Sequence, residues 1–217
     1  MPDQPSESEL TAIITTEHFT LQTARAAAIN QANGRAGTYL GVVSSSLIAL
    51  ALVGQTSGLG RFFYVFGLLL FVPLLFLGFF TFERTLQLGL EDVSYAARIN
   101  RLRRFYFRFA DALGDYLIRP IQTDDVVAVM QQGGARYFRR LQGFTTTAGV
   151  IATVNSFLAA VLVGFAVELI GGDPVALIPM GGIAFLAFAV AQFRHAMRAW
   201  SDVRSRFEGG GLQGVDV

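Results

Sequence analysis

The run ARINRLRRFYFRF, residues 97–109, sets Arg98, Arg101, Arg104 and Arg108 at helical spacing beside aromatic side chains. A guanidinium face of this kind attracts anions, and beside a bilayer each charge gains ~1 kcal/mol from anionic lipid headgroups. Contact with such headgroups, or packing of one helix on another, is the first expectation for these four residues. A regulatory anion site, taking a nucleotide or a phospholipid head, is the second. Arg interleaved with aromatic rings also suits single-stranded nucleic acid. Here the run lies a few turns from a long apolar stretch, and no nucleic-acid partner is expected.

The other chemistry-bearing positions are few. Asn155 falls in the middle of an apolar stretch, at about the depth of Ser44, Ser45 and Ser46 in another. A carboxamide in hydrocarbon must find partners, and such interhelical bonds are worth ~0.6 to 2 kcal/mol. It reads either as a bond joining two spans or as part of a polar pore lining. Asp124 and Asp125 follow Thr123; the three read as a helix start rather than a metal pair. His18 and His195 lie far apart, without ligand spacing. Cysteine and lysine are absent, which excludes disulfides, thiolate chemistry, Schiff-base lysines and P-loops. No nucleophile elbow, dinucleotide-binding fingerprint or HExxH occurs either. No enzyme activity, cofactor or metal is expected.

These residues are positioned by four apolar stretches, at about 37–53, 62–82, 144–169 and 174–193. Roughly 20 apolar residues wound as a helix match the ~30 Å hydrocarbon core of a bilayer. With 53% hydrophobic and only 15% charged residues, the chain reads as an all-α polytopic membrane protein. Its four transmembrane helices form two antiparallel hairpins with a cytoplasmic helical segment between them. Pro73 lies within the second span, a position tolerated inside a bundle. The acidic, polar N-terminus has no signal-peptide pattern, so the first span is read as retained.

Orientation follows from arginine. Ten of the seventeen lie between the hairpins, two precede the first span and four follow the last, whereas the two opposite loops share only Arg61. The positive-inside rule then places both termini and the middle in the cytoplasm. An all-Arg complement is also what GC-rich codon usage produces, so the expected location is a bacterial inner membrane.

Small residues recur at every fourth position in the first and third spans: Gly37, Gly41, Ser45 and Ala49, then Ala148, Ala152, Ser156, Ala160 and Gly164. Such ladders let helix backbones approach where lipid offers no hydrophobic drive. They predict packing between spans one and three, with a homo-oligomer or membrane-protein interface as the alternative.

Along the chain, residues 1–15 read as a disordered tail, with Ser6 and Glu9 a weak capping pair. Residues 16–82 hold an Ala-rich helix and the first hairpin. In the cytoplasmic region 83–143, Tyr95, Ile99, Leu102, Phe105, Tyr106, Phe109 and Leu113 fall within one arc of an amphipathic helix. A shorter helix from Thr123 to Gly133 and Gly134 follows, and then Arg136, Arg139 and Arg140. The second hairpin occupies 144–193 and a cytoplasmic tail 194–217.

The segment DVSYAARINRLRRFY, the downstream TDD and the stretch FTTTAGVIATVNS together resemble a group of uncharacterised multi-pass bacterial membrane proteins with similar "INR-x-R-x-[FY]-Y" runs before a second hydrophobic hairpin. The matching positions are Ile99, Asn100, Arg101, Arg103, Phe105, Tyr106, Asp124, Asp125 and Asn155. This resemblance implies architecture and no activity. ANGRAGTYLGVVSS, leading into span one, is similar to membrane effectors of nucleotide-triggered phage defence.

The expected function is thus a structural or signalling component with the lipid bilayer as its first partner. A membrane-perturbing effector or small oligomeric channel gated by the Arg-rich region is the alternative. A small transporter is the third, supported only by Pro73 and the Pro179, Gly181, Gly182 cluster.

Overall fold

The computed structural model describes residues 6–109 and 146–209. Among these residues there are four helices and no strand: α1 Glu7–Ser57, α2 Arg61–Phe109, α3 Thr147–Leu169 and α4 Pro174–Gly209. Each contains a stretch long and apolar enough to cross a membrane.

Helix α1 begins well before the Ala-rich segment at residue 16, because Ser6 and Glu9 close a capping box. The Ser6 backbone N–H donates to Glu9 Oε2 at 2.8 Å, and the Glu9 N–H donates to Ser6 Oγ at 3.4 Å. Residues 7–15, expected to be disordered, are therefore helical. Gly58, at φ 68°, ends α1, and the Gly60 carbonyl starts α2 by accepting from the N–H groups of Phe63 and Tyr64. At the end of α3 the chain turns through Gly171, at φ 72°. Gly171 N–H donates to the Glu168 carbonyl at 3.1 Å and Gly172 N–H to the Val167 carbonyl at 2.9 Å. Asp173 then caps α4, its Oδ1 accepting from Val175 N–H at 2.9 Å. Thr146 caps α3 by accepting from Gly149 N–H at 3.1 Å.

The second helix passes through Pro73 and continues without a break to Phe109. The amphipathic stretch around residues 95–109 is thus the end of the helix that contains span two, not a separate element. The tail after residue 194 likewise belongs to α4 as far as Gly209. The expected helix after Thr123, the acids Asp124 and Asp125, and Arg136, Arg139 and Arg140 lie outside the described residues.

Contacts divide the chain into two compact units. One comprises Ala32–Gln87 and Arg140–Ala199, the other Met1–Gln31, Leu88–Arg139 and Trp200–Val217. In the first, helix segments pack through α3, whose Ile151, Asn155, Ser156, Leu158, Ala159, Leu162 and Val167 are buried. In the same unit Tyr39, Val43 and Leu50 of α1 and Phe71, Leu74 and Phe82 of α2 are buried as well. Phe165 stands among Phe63, Tyr64 and Phe71 at centroid distances of 5.7, 5.6 and 6.1 Å. Aromatic pairs of this geometry contribute ~0.5 to 1.5 kcal/mol beyond their buried area. Outward-facing residues such as Leu47, Ile48, Phe76, Phe80, Ile178 and Leu186 are large, apolar and exposed, the surface a lipid solvent requires.

Buried hydroxyls in this unit satisfy themselves locally. Ser46 donates to the Val42 carbonyl, Thr81 to Leu77, Thr85 to Thr81 and Ser156 to Ala152, at 2.7–2.8 Å. In the other unit Leu21, Ala28, Leu88, Val93 and Ile99 are buried. There Arg25 Nε donates to Asp92 Oδ1 at 2.7 Å, and His18 meets Tyr106 edge to face at 6.1 Å.

Candidate functional site

Asn155 is the centre of the most enclosed polar cluster among the described residues. Its side chain is fully buried, so both ends of the carboxamide need partners. Tyr39 Oη of α1 donates to Asn155 Oδ1 at 2.6 Å. Asn155 Nδ2 in turn donates to Gln192 Oε1 of α4 at 3.2 Å, and Gln192 Nε2 reaches the Ala152 carbonyl at 3.2 Å. Three helices are thereby tied by one chain of bonds, with Tyr39 2% and Gln192 5% exposed.

Helix α2 contributes space rather than a bond. A Cβ at Gly78 would overlap Asn155 Oδ1 and the Tyr39 hydroxyl. Gly67 plays the same part beneath Phe165, whose ring occupies the place of a Cβ there. The cluster is built from one phenol and two carboxamides, and its bonds tie three helices together.

The chain matches no protein-family model. No curated protein and no solved structure matches it either.

The small-residue ladder of α1 is not where α1 packs. Gly37, Gly41 and Ser45 are exposed and Ala49 is half-buried; a Cβ at Gly37 or Gly41 would meet nothing within 4 Å. The packed stripe is Ala32, Ala36, Tyr39, Val43, Ser46 and Leu50, spaced alternately by four and three. At about 100° per residue the ladder falls on the opposite side of the helix. The reason lies in Tyr39, whose hydroxyl must be buried against Asn155 and so fixes which side of α1 faces inward.

The ladder of α3 does face protein, but through α4. Ala148, Ala152, Ala160 and Gly164 are half-buried and Ser156 is fully buried. A Cβ at Gly181 of α4 would lie 3.5 Å from the Ala160 carbonyl oxygen, and Gln192 bonds the Ala152 carbonyl. Asn155 bridges α3 to α1. Its partner in span one is Tyr39 rather than a serine. Tyr39, Gly78 and Gln192 were missing from the sequence-based set, although a second carboxamide at the end of span four was a visible signal.

In the other unit Arg98 is half-buried, Arg101 exposed and Arg104 half-buried; the Arg108 side chain lies outside the described residues. Arg98 and Arg101 line a trough with Leu10, Ile14, Glu17, Leu21 and Leu102. Nearby, His18 Nε2 and Gln22 Nε2 lie 2.8 Å apart, whereas His18 Nδ1 is buried without a hydrogen-bond partner among the described residues. Burial, with Arg103 adding to it, lowers the His18 pKa from its ordinary 6.5. In the first unit, His195 Nε2 and Glu83 Oε2 form a part-exposed pair at 2.7 Å. Among the described residues no three His, Asp or Glu side chains are grouped as a metal site.

Proposed function

We propose that this protein is a non-enzymatic, four-span component of a bacterial inner membrane that carries structural or signalling information from the bilayer to a cytoplasmic helical module. The observation that carries this reading is the length of the first two helices. They run 51 and 49 residues without interruption, whereas ~20 residues cross a bilayer. Each spanning segment therefore continues into its polar extension as one unbroken helix, and in this reading that shared helix is what connects the bilayer to the module.

The spans form two antiparallel hairpins in this reading. Support comes from the order of contacts: Gly54 lies beside Phe63 and Gly67 beside Leu50, while Gly78 lies beside Tyr39. Phe157 meets Phe185 at 4.9 Å, and Asn155 bonds Gln192. Within each hairpin, the earlier a contact falls in one helix the later it falls in the next, which is antiparallel order. With sixteen of seventeen arginines on one side, both ends of this sequence lie in the cytoplasm.

Topology reporters fused at either end of the sequence, and in the 171–173 turn, test the reading. Cytoplasmic signals from both ends and an external signal from the turn are expected; an external signal from either end overturns it.

A second reading, a membrane-perturbing effector or small oligomeric channel, draws on the outward Gly37, Gly41, Ser45 face of α1. Such a face permits close approach of another helix, and a second copy of the chain carries one. Ion conductance by the purified protein in planar bilayers would favour it over the scaffold.

A further inference from the structure

Between α1 and α2, the trough already noted is lined mostly by hydrocarbon: Leu10, Ile14 and Leu21 from α1 and Leu102 from α2. Positions 10, 14, 17 and 21 recur by four, three and four, so they share one face of α1. The cavity measures about 450 Å³, within the range of ~300 to 1,000 Å³ typical of small-molecule sites.

Two guanidinium groups, Arg98 and Arg101, border it, and Glu17 lines it as well. Among the described residues neither arginine forms an ion pair or hydrogen bond, whereas Arg25 in the same unit is paired with Asp92 at 2.7 Å. An apolar slot bordered by two guanidiniums selects a ligand that is apolar along most of its length and anionic at one point.

Shape narrows the occupant. Leu10 to Leu21 spans roughly 16 Å of helix axis, and a cavity of about 450 Å³ is far smaller than a helix of that length occupies. An α-helix with its side chains is ~10 to 12 Å wide and does not enter. One extended hydrocarbon chain does. The lining residues also fall outside the four apolar stretches, Arg98 being sixteen positions past Phe82. A lipid of the surrounding bilayer would have to lift its chains out of hydrocarbon to fill the slot.

We infer that this trough binds a single-chain anionic amphiphile taken from the aqueous side. Its carboxylate or phosphate head rests on Arg98 and Arg101, and its chain runs along Leu10, Ile14, Leu21 and Leu102. The inference rests on the reading that these residues lie outside the bilayer, which the topology reporters test separately.

Full-length protein in phosphatidylcholine nanodiscs, titrated calorimetrically with dodecyl phosphate against empty discs, tests it. Saturable binding beyond the empty-disc signal is expected, with inorganic phosphate and dodecanol each failing to bind at the same concentration. Arg98→Gln combined with Arg101→Gln should weaken binding at least tenfold, and Ile14→Gln should weaken it several-fold. Glu17→Gln should tighten it several-fold by removing a repelling carboxylate, a gain that a misfolded variant does not produce. Equal binding of inorganic phosphate, an unchanged affinity in the double Arg variant, or heats identical to empty discs would overturn the proposal. Competition by phosphatidylglycerol incorporated in the discs would assign the slot to bilayer lipid and overturn its aqueous source.

Discussion

Tyr39 and Asn155, 116 residues apart in sequence, share a 2.6 Å hydrogen bond in the interior of the helix bundle. The bond fixes the rotation of α1 against α3, because a buried phenol and a buried carboxamide each lack water as an alternative partner. Tyr39→Phe keeps the ring and removes the donor. It should destabilise the protein by ~0.6 to 2 kcal/mol, read as a lower unfolding midpoint in a denaturing-detergent titration. Combined with Asn155→Leu it should cost less than the two single changes added together.

Gly78 supplies the room for that bond. Gly78→Ala puts a methyl where Asn155 Oδ1 and the Tyr39 hydroxyl now lie, so the pair must separate or α2 must move outward. The loss should exceed that of Tyr39→Phe, at ~2 kcal/mol or more. Gly41→Ala is the control: its Cβ meets nothing, and the change should be neutral or mildly stabilising through helix propensity. The same titration ranks all three variants.

The spans were legible because their signal is one of length and composition, which the bilayer imposes directly. Which face of each span looks inward was not, because inner and outer faces of a membrane helix are both apolar and periodicity carries little contrast. The ladder from Gly37 to Ala49 therefore drew attention to a face that is exposed at Gly37, Gly41 and Ser45 among the described residues. The inward face of α1 was marked instead by a single polar atom, the Tyr39 hydroxyl. Helix boundaries failed for a related reason. The sequence places a boundary at residue 83, where the apolar stretch ends, yet TFERTLQLGLEDVSY contains no breaker stronger than Gly89 and the helix runs through it.

His18 gives the fold a pH dependence with a definite sign. Its pKa in the folded protein lies below the ordinary 6.5 because burial and Arg103 disfavour the charged ring. Between the folded and unfolded values the unfolded chain binds more protons, so stability rises with pH across that window. The contribution is complete above about 6.5 and is lost as pH falls through the folded value. His18→Phe should flatten this dependence on the acid side of neutrality while keeping the aromatic contact with Tyr106. Unfolding midpoints measured on both proteins from neutral to mildly acidic pH would show the difference, and parallel curves would remove His18 as its source.

The exposed Gly37, Gly41, Ser45 face separates the two functional readings most directly, and the absence of cysteine from the chain makes the experiment clean. Single cysteines at Ser45 and at Phe76, both exposed in the same bundle, place a thiol on the ladder face and on a face crowded with phenylalanine. If copies associate through α1, the Ser45→Cys protein forms disulfide dimers in membranes under mild oxidation and the Phe76→Cys protein does not. Gly41→Leu added to Ser45→Cys should then abolish the crosslink, because a branched side chain holds the two backbones apart. It should leave the unfolding midpoint of the chain almost unchanged, since a side chain at residue 41 starts from open space. Equal crosslinking from both positions would mean random collision, and crosslinking that survives Gly41→Leu would place the interface elsewhere.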